Sequence, residues 1–274
     1  MPISPYTPFC NQCYDLVNKL RQYVFVEVHP KILALKEDKS RLNVKRDYSI
    51  FSLYLTIIAW LQTFENLNHS YDCQAVGTGA RAIFERYLDL KWFEKFTGPE
   101  WVERYLTFPN VDRYLACEKV VNHTKQNPAS KINTKVHTDF ISTMDAREPL
   151  EDLVSRVWGK KPDNTPCWPN FHWTGIKDLS KRAEAIGPDT LDEYRELYPP
   201  MSWLVHSGPT AFLGRDFAEL ESMTGWCYFF AFQQARNSTI VVVNMLGIKD
   251  SVADFDKAMN QLWAWRADAL ATLP

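Results

Sequence analysis

The run Thr239-Ile240-Val241-Val242-Val243 decides the fold class of this chain. Five consecutive β-branched residues carry strand propensity, and a strand here would take the chain out of the all-helical class. Immediately upstream, Trp226, Phe229, Phe230 and Phe232 recur at helical spacing, and no turn signal separates them from the run. The run is therefore read as the end of one long helix, roughly Glu219 to Leu246, in which tertiary packing overrides local preference. A last helix follows over Val252 to Leu270.

Working back toward the N-terminus, the same periodicity recurs. Phe9 to Val28 reads as a first helix, stopped by His29-Pro30, and a charged loop covers Leu35 to Lys45. Tyr48 to Leu67 has almost no polar face and is expected to be a central helix contacted from several sides. Gly77 to Phe96 is amphipathic and closes at Thr97-Gly98-Pro99. Pro99 suits the start of the next helix, which is expected to resume at Val111 after an interruption at Pro109. Val136 to Trp158 is helical with a break at Pro149. Leu179 to Ile186 ends at Gly187-Pro188, and Leu191 to Val205 resumes helical spacing. The expectation is an all-α bundle of eight to nine helices, as a single domain over residues 1–274. The proline-rich stretch Lys160 to Trp173 is read as a long connection within that domain.

The bulk properties narrow the function. The chain of 274 residues has 31 basic and 33 acidic residues, so no global field draws it to nucleic acid or membrane, and RNA would need a local patch. No apolar run approaches the ~18 residues of a bilayer span. The start Met-Pro-Ile-Ser-Pro-Tyr lacks a basic n-region, and the six cysteines sit in helical patterns. The expectation is a cytoplasmic protein with free thiols, no membrane association, no metal and no cofactor. Cys10-x-x-Cys13 has no second close Cys or His pair to complete a zinc site. Gly77-x-Gly79-x-x-Ala82 lacks the preceding strand that a dinucleotide loop requires. The P-loop, nucleophile-elbow and H-E-x-x-H patterns are absent.

Two constellations place polar residues where apolar ones are expected. Arg81 falls within the stripe Phe84, Leu88 and Trp92 of its helix, with Glu85 one turn on. A guanidinium keeps its charge, so it needs a carboxylate, carbonyl dipoles or a bound anion. A structural Arg81–Glu85 bridge and an anion-holding Arg81 both satisfy that requirement. The second constellation is Tyr194, Tyr198, Ser202 and His206, at successive steps of four. His206 comes in the last turn before Gly208-Pro209, where the helix dipole favours imidazolium. Pro199-Pro200 is expected to interrupt this ridge, with Tyr198 ending one helix and Met201 beginning another.

Arg81-x-x-x-Glu85, then Trp173-x-Gly175 leading into Leu179 to Ala183, then Tyr194, Tyr198, Ser202 and Val205-His206, in that order, resemble the bacterial family of unknown function numbered 5677, a relative of the HEPN helical bundles. The likeness runs from Leu53 to Pro209. The resemblance implies a HEPN-like core with extra C-terminal helices, in which Arg81 and Glu85 meet Ser202 and His206 as catalytic residues, with Tyr194, Tyr198 and Trp173 on the ligand side. It further implies a metal-independent ribonuclease of a toxin or phage-defence system, acting as a homodimer, with an antitoxin or defence protein as a possible partner. The HEPN nuclease pattern R-x(4 to 6)-H is not present, since Met201, Pro200 and Pro199 occupy the positions where its Arg belongs. The alternative is a non-catalytic binding or oligomerisation module built around a structural Arg-Glu-Ser-His cluster.

Overall fold

The computed structural model describes residues 4–37, 44–67, 72–169, 172–206 and 216–274. Among these, Thr239 to Val243 lie inside α10 (Phe217–Met245), so the β-branched run is helical. Asp216 caps this helix by accepting the Glu219 amide at 2.8 Å. Thr239 and Ser238 return their hydroxyl protons to the carbonyls of Ala235 and Gln234, at 2.8 and 2.7 Å. With its own proton committed, the Thr239 hydroxyl accepts from buried Tyr54, 2.7 Å away. Val241 is 6% exposed, and Val242 and Val243 are fully buried. Burying three valines is worth about 1.5–3 kcal/mol each, while valine's helix disadvantage is at most about 0.7 kcal/mol per residue, so packing wins.

The other helices are α1 (Thr7–Tyr23), α2 (His29–Glu37), α3 (Val44–Phe64), α4 (Cys73–Lys95), α5 (Pro99–Gln126), α6 (Lys135–Asp145), α7 (Leu150–Trp158), α8 (Leu179–Ile186), α9 (Pro188–His206) and α11 (Phe255–Leu270). A π-helical turn, Val24–Val28, joins α1 to α2 without a break. The described residues thus carry ten helical rods, slightly more than the eight to nine expected. They form no strand; one isolated antiparallel bridge pairs Lys160 with Pro166.

Three proline expectations are corrected. His29-Pro30 does not stop the first helix: the wider π turn, closed by the His29 amide on the Val24 carbonyl, accommodates a ring that cannot donate. Pro109 lies inside α5, and the burial of Val111, Tyr114, Cys117 and Val121 on the following turns offsets its lost hydrogen bond. Pro199-Pro200 does not split α9. Arg195 and Pro199 are exposed, so the carbonyl deprived by Pro199 lies on a water-facing stretch, while Leu197 (1% exposed) and Met201 (0%) anchor the helix on its other side.

The chain divides into two compact units, Met1–Lys95 with Ala183–Pro274, and Phe96–Arg182. In the first, α4 is buried nearly all round, packing on α10, α9 and α3, while α1 packs on α10 and α11. At Gly79 the side chains of α3 come close to the α4 backbone. A Cβ there would lie 2.5 Å from Phe64 Cε1 and 2.6 Å from Trp60 Cε3, which explains a glycine that has no phosphate loop to serve. In the second unit, Val111, Tyr114, Leu150, Leu153, Val154, Val157 and Trp158 form a separate core between α5 and α7.

Candidate functional site on the facing helices α4 and α9

On α4, Phe84 is fully buried, while Arg81 and Glu85 stand at the margin of the helix contact with side chains 23% and 27% exposed. Arg81 Nε donates to Glu85 Oε1 at 2.9 Å. From α9, the Tyr198 hydroxyl donates to the same oxygen at 3.1 Å, and the Arg81 guanidinium lies 5.2 Å from the Tyr198 ring centre. Tyr194 and Tyr198 stack at 5.2 Å with ring planes 22° apart, and both lie against Phe84. One carboxylate therefore accepts from a cation on its own helix and from a phenol on the facing one.

The electrostatics follow from this geometry. Burial, and then the Glu85 carboxylate, push the Tyr198 phenol up to about 12, so it stays protonated and donates. Ser202 follows on the same unbroken helix and is half-buried. His206 is the last residue of α9, and its side chain lies outside the described residues. With α9 continuous, Tyr198, Ser202 and His206 keep their step-of-four register along one slowly drifting face.

Trp173 belongs to the second unit, where it is 2% exposed. Its carbonyl accepts Trp158 Nε1 at 2.9 Å, and Trp101 and Tyr105 meet its ring at steep angles. His172 has company there. Its Nδ1 lies 2.9 Å from Thr174 Oγ1, and its Nε2 meets the Arg182 guanidinium. The His172-x-Thr174 spacing was the only local sign of this group. A cleft of about 710 Å³ in the same unit, bordered by Phe108, Tyr114, Trp168, Asp112 and Glu151, contains none of the candidate catalytic or ligand-binding residues.

The helix contact holds further groups that sequence reasoning missed. Glu193 of α9 takes a hydrogen bond from Tyr87 of α4, and burial raises the Glu193 carboxyl above its ordinary value. Lys95 donates to the carbonyls of Ala185 and Ile186 at 2.9 and 2.8 Å. Arg86 pairs at 2.9 Å with Asp89, whose side chain is 2% exposed. Among the described residues, no grouping of three or more His, Cys, Asp or Glu could hold a metal ion, and no helix is long and apolar enough to cross a membrane. None of the six cysteines is in a disulfide.

Fold and site together define the class: an all-helical protein with an Arg-Glu-Tyr cluster joining two facing helices. The chain belongs to the Family of unknown function (DUF5677), whose model matches residues 47–222, a span that contains every site residue named above. No match was found among the curated proteins, and none among the solved structures.

Proposed function

We propose that this protein is a HEPN-like ribonuclease working without a metal ion, with its site on the α4–α9 face. The observation that carries the reading is the Glu85 carboxylate, held between Arg81 and Tyr198 on a face that continues to Ser202 and His206. Cleavage of RNA by its own 2'-hydroxyl needs a base for that proton, positive charge for the phosphorane and an acid for the departing 5'-oxygen. Glu85 is suited to take the proton, Arg81 to bear on the phosphate, and His206, four residues beyond Ser202 on α9, to protonate the leaving oxygen. The 2'-oxygen–phosphorus bond forms as the phosphorus–5'-oxygen bond breaks, leaving a 2',3'-cyclic phosphate. Function as a homodimer belongs to the same reading. The test is incubation of the pure protein with tRNA and total RNA beside His206→Ala; cleavage that depends on His206 supports the reading, and no difference between the two removes it.

A second reading rests on the same carboxylate. Glu85 already accepts from both Arg81 and Tyr198, as in a clamp that only fastens α9 to α4 within a non-catalytic binding or oligomerisation module. On that reading Arg81→Ala lowers the melting temperature and leaves no catalytic trace.

A further inference from the structure

Beyond the family match, Arg236 of α10 and Arg266 of α11 have no carboxylate within ion-pair distance among the described residues. Arg236 and Arg266 both lie against the Trp263 ring, with guanidinium carbons 4.7 and 4.4 Å from its centre, and Arg266 is also 4.6 Å from the centre of Phe229. Their hydrogen bonds go to neutral groups. Arg236 donates to the Met259 carbonyl at 3.0 Å and to the Asn237 side chain at 3.4 Å, and Arg266 donates to Gln233 Oε1 at 3.4 Å. Arg266 Nε is shut off from solvent with no hydrogen-bond partner. No described carboxylate lies within 4.0 Å of either guanidinium; Glu196 acts on Arg266 only from beyond that distance.

Half-burial and mutual repulsion both disfavour this pair as it stands, and each guanidinium is held below its ordinary value, Arg236 by burial and then by Arg266. A guanidinium cannot relieve the strain by losing its proton. Trp263 is 40% exposed, and Arg236 and Arg266 beside it are part-exposed, so indole surface and two cationic side chains reach solvent in one place. Stacking surface next to paired positive charge suits a flexible strand that brings both phosphates and unpaired bases.

We propose that Arg236, Arg266 and Trp263 form a docking site for single-stranded RNA, the cations taking backbone phosphates and the indole stacking a base. The inference rests on the ribonuclease reading for the identity of the strand, and it assigns a holding site separate from the α4–α9 cluster. The probe is a fluorescein-labelled 2'-O-methyl oligouridylate of fifteen nucleotides, which has no free 2'-hydroxyl and cannot be cleaved, followed by anisotropy. Arg236→Met and Arg266→Met are each expected to weaken binding about tenfold, the scale of one lost charged hydrogen-bonding group. Trp263→Ala is expected to weaken it by about the same factor, as for one lost base stack. The double Arg variant should flatten the dependence of log affinity on log salt by about 1.4, two phosphates' worth on a single strand.

Without RNA, the Met variants should melt at the wild-type temperature or above, because a repelling, half-buried charge has been replaced by an apolar chain. Unchanged affinity in all three variants, tighter binding of a duplex of the same length, no binding by the wild type, or a lower melting temperature with intact binding each overturns the site. Binding that weakens as stated in a protein that cleaves no RNA leaves the docking site standing and removes the ribonuclease reading alone. His206-dependent cleavage with probe affinity unmoved by the Met variants does the reverse.

Discussion

Replacing Gly79 by alanine sets two known effects against each other, and the structure decides the sign. In an unconstrained helix the change gains about 1 kcal/mol, because alanine loses less backbone freedom than glycine. At Gly79, however, the new methyl would sit 2.5 and 2.7 Å from Phe64 Cε1 and Cζ and 2.6 Å from Trp60 Cε3. Phe64 is fully buried and also packs edge-on against Tyr228, so it has little room to retreat. Overpacking of this kind costs about 1–3 kcal/mol and must exceed the helical gain if α4 is as tightly seated on α3 as described. The expected net is a loss of up to about 2 kcal/mol, read as a melting temperature lower by up to about 8 °C for a chain of this size. Gly187→Ala is the internal control. Nothing lies within 4 Å of the added carbon, so that variant meets no clash and should shift stability by no more than about 1 kcal/mol in either direction. Thermal melts by circular dichroism at one pH suffice. A Gly79→Ala protein that melts higher than wild type would refute the α3–α4 packing on which the position of Arg81 and Glu85 depends.

Two further outcomes follow from the titrating groups. Glu193→Gln should stabilise the protein at neutral pH by about 0.5–1 kcal/mol: the raised Glu193 carboxyl contributes stability only below its ordinary value of 4.5 and loses it as pH rises, while glutamine still accepts from Tyr87. Denaturant melts at pH 4 and pH 7 should show the gain at pH 7 and a smaller one at pH 4. On the alkaline side, Tyr23, Tyr114 and Tyr198 are each raised from 10.0 to about 12, so their neutral forms favour the folded state up to pH 10 and that contribution drains away between pH 10 and 12. Melting temperature should fall steeply across that window. Tyr198→Phe should fall less steeply there, and an identical slope would contradict the half-buried phenol.

The helices were legible in the sequence wherever apolar spacing carried them: Leu179–Ile186 coincides with its expected range, and the break between α6 and α7 falls at Pro149 as expected. Proline misled the reading at residues 30, 109 and 199–200. Proline's cost is local and visible in sequence, whereas the burial that offsets it comes from Val111, Tyr114, Leu197 and Met201 meeting distant partners. The α4–α9 cluster was half visible. Spacing placed Arg81 beside Glu85 and Tyr198 in line with Ser202, but the hydrogen bond that makes Glu85 the shared acceptor spans 113 positions and has no local signature. Asp89, Glu193 and the Arg236–Arg266 pair were missed for a related reason. A charged residue in a helical pattern reads as solvated until the packing shows otherwise.

The products of RNA cleavage distinguish metal-independent catalysis at Glu85 and His206 from a purely structural cluster. A short single-stranded RNA labelled at its 5' end is incubated with the wild-type protein, Glu85→Gln and His206→Ala in EDTA, and the products are resolved by mass spectrometry. Wild-type protein is expected to cleave it to fragments ending in 2',3'-cyclic phosphate, with each variant slowed about 10²–10⁴-fold, as for a lost general base or acid. Intact RNA with the wild-type protein, or equal cleavage by all three, would contradict it.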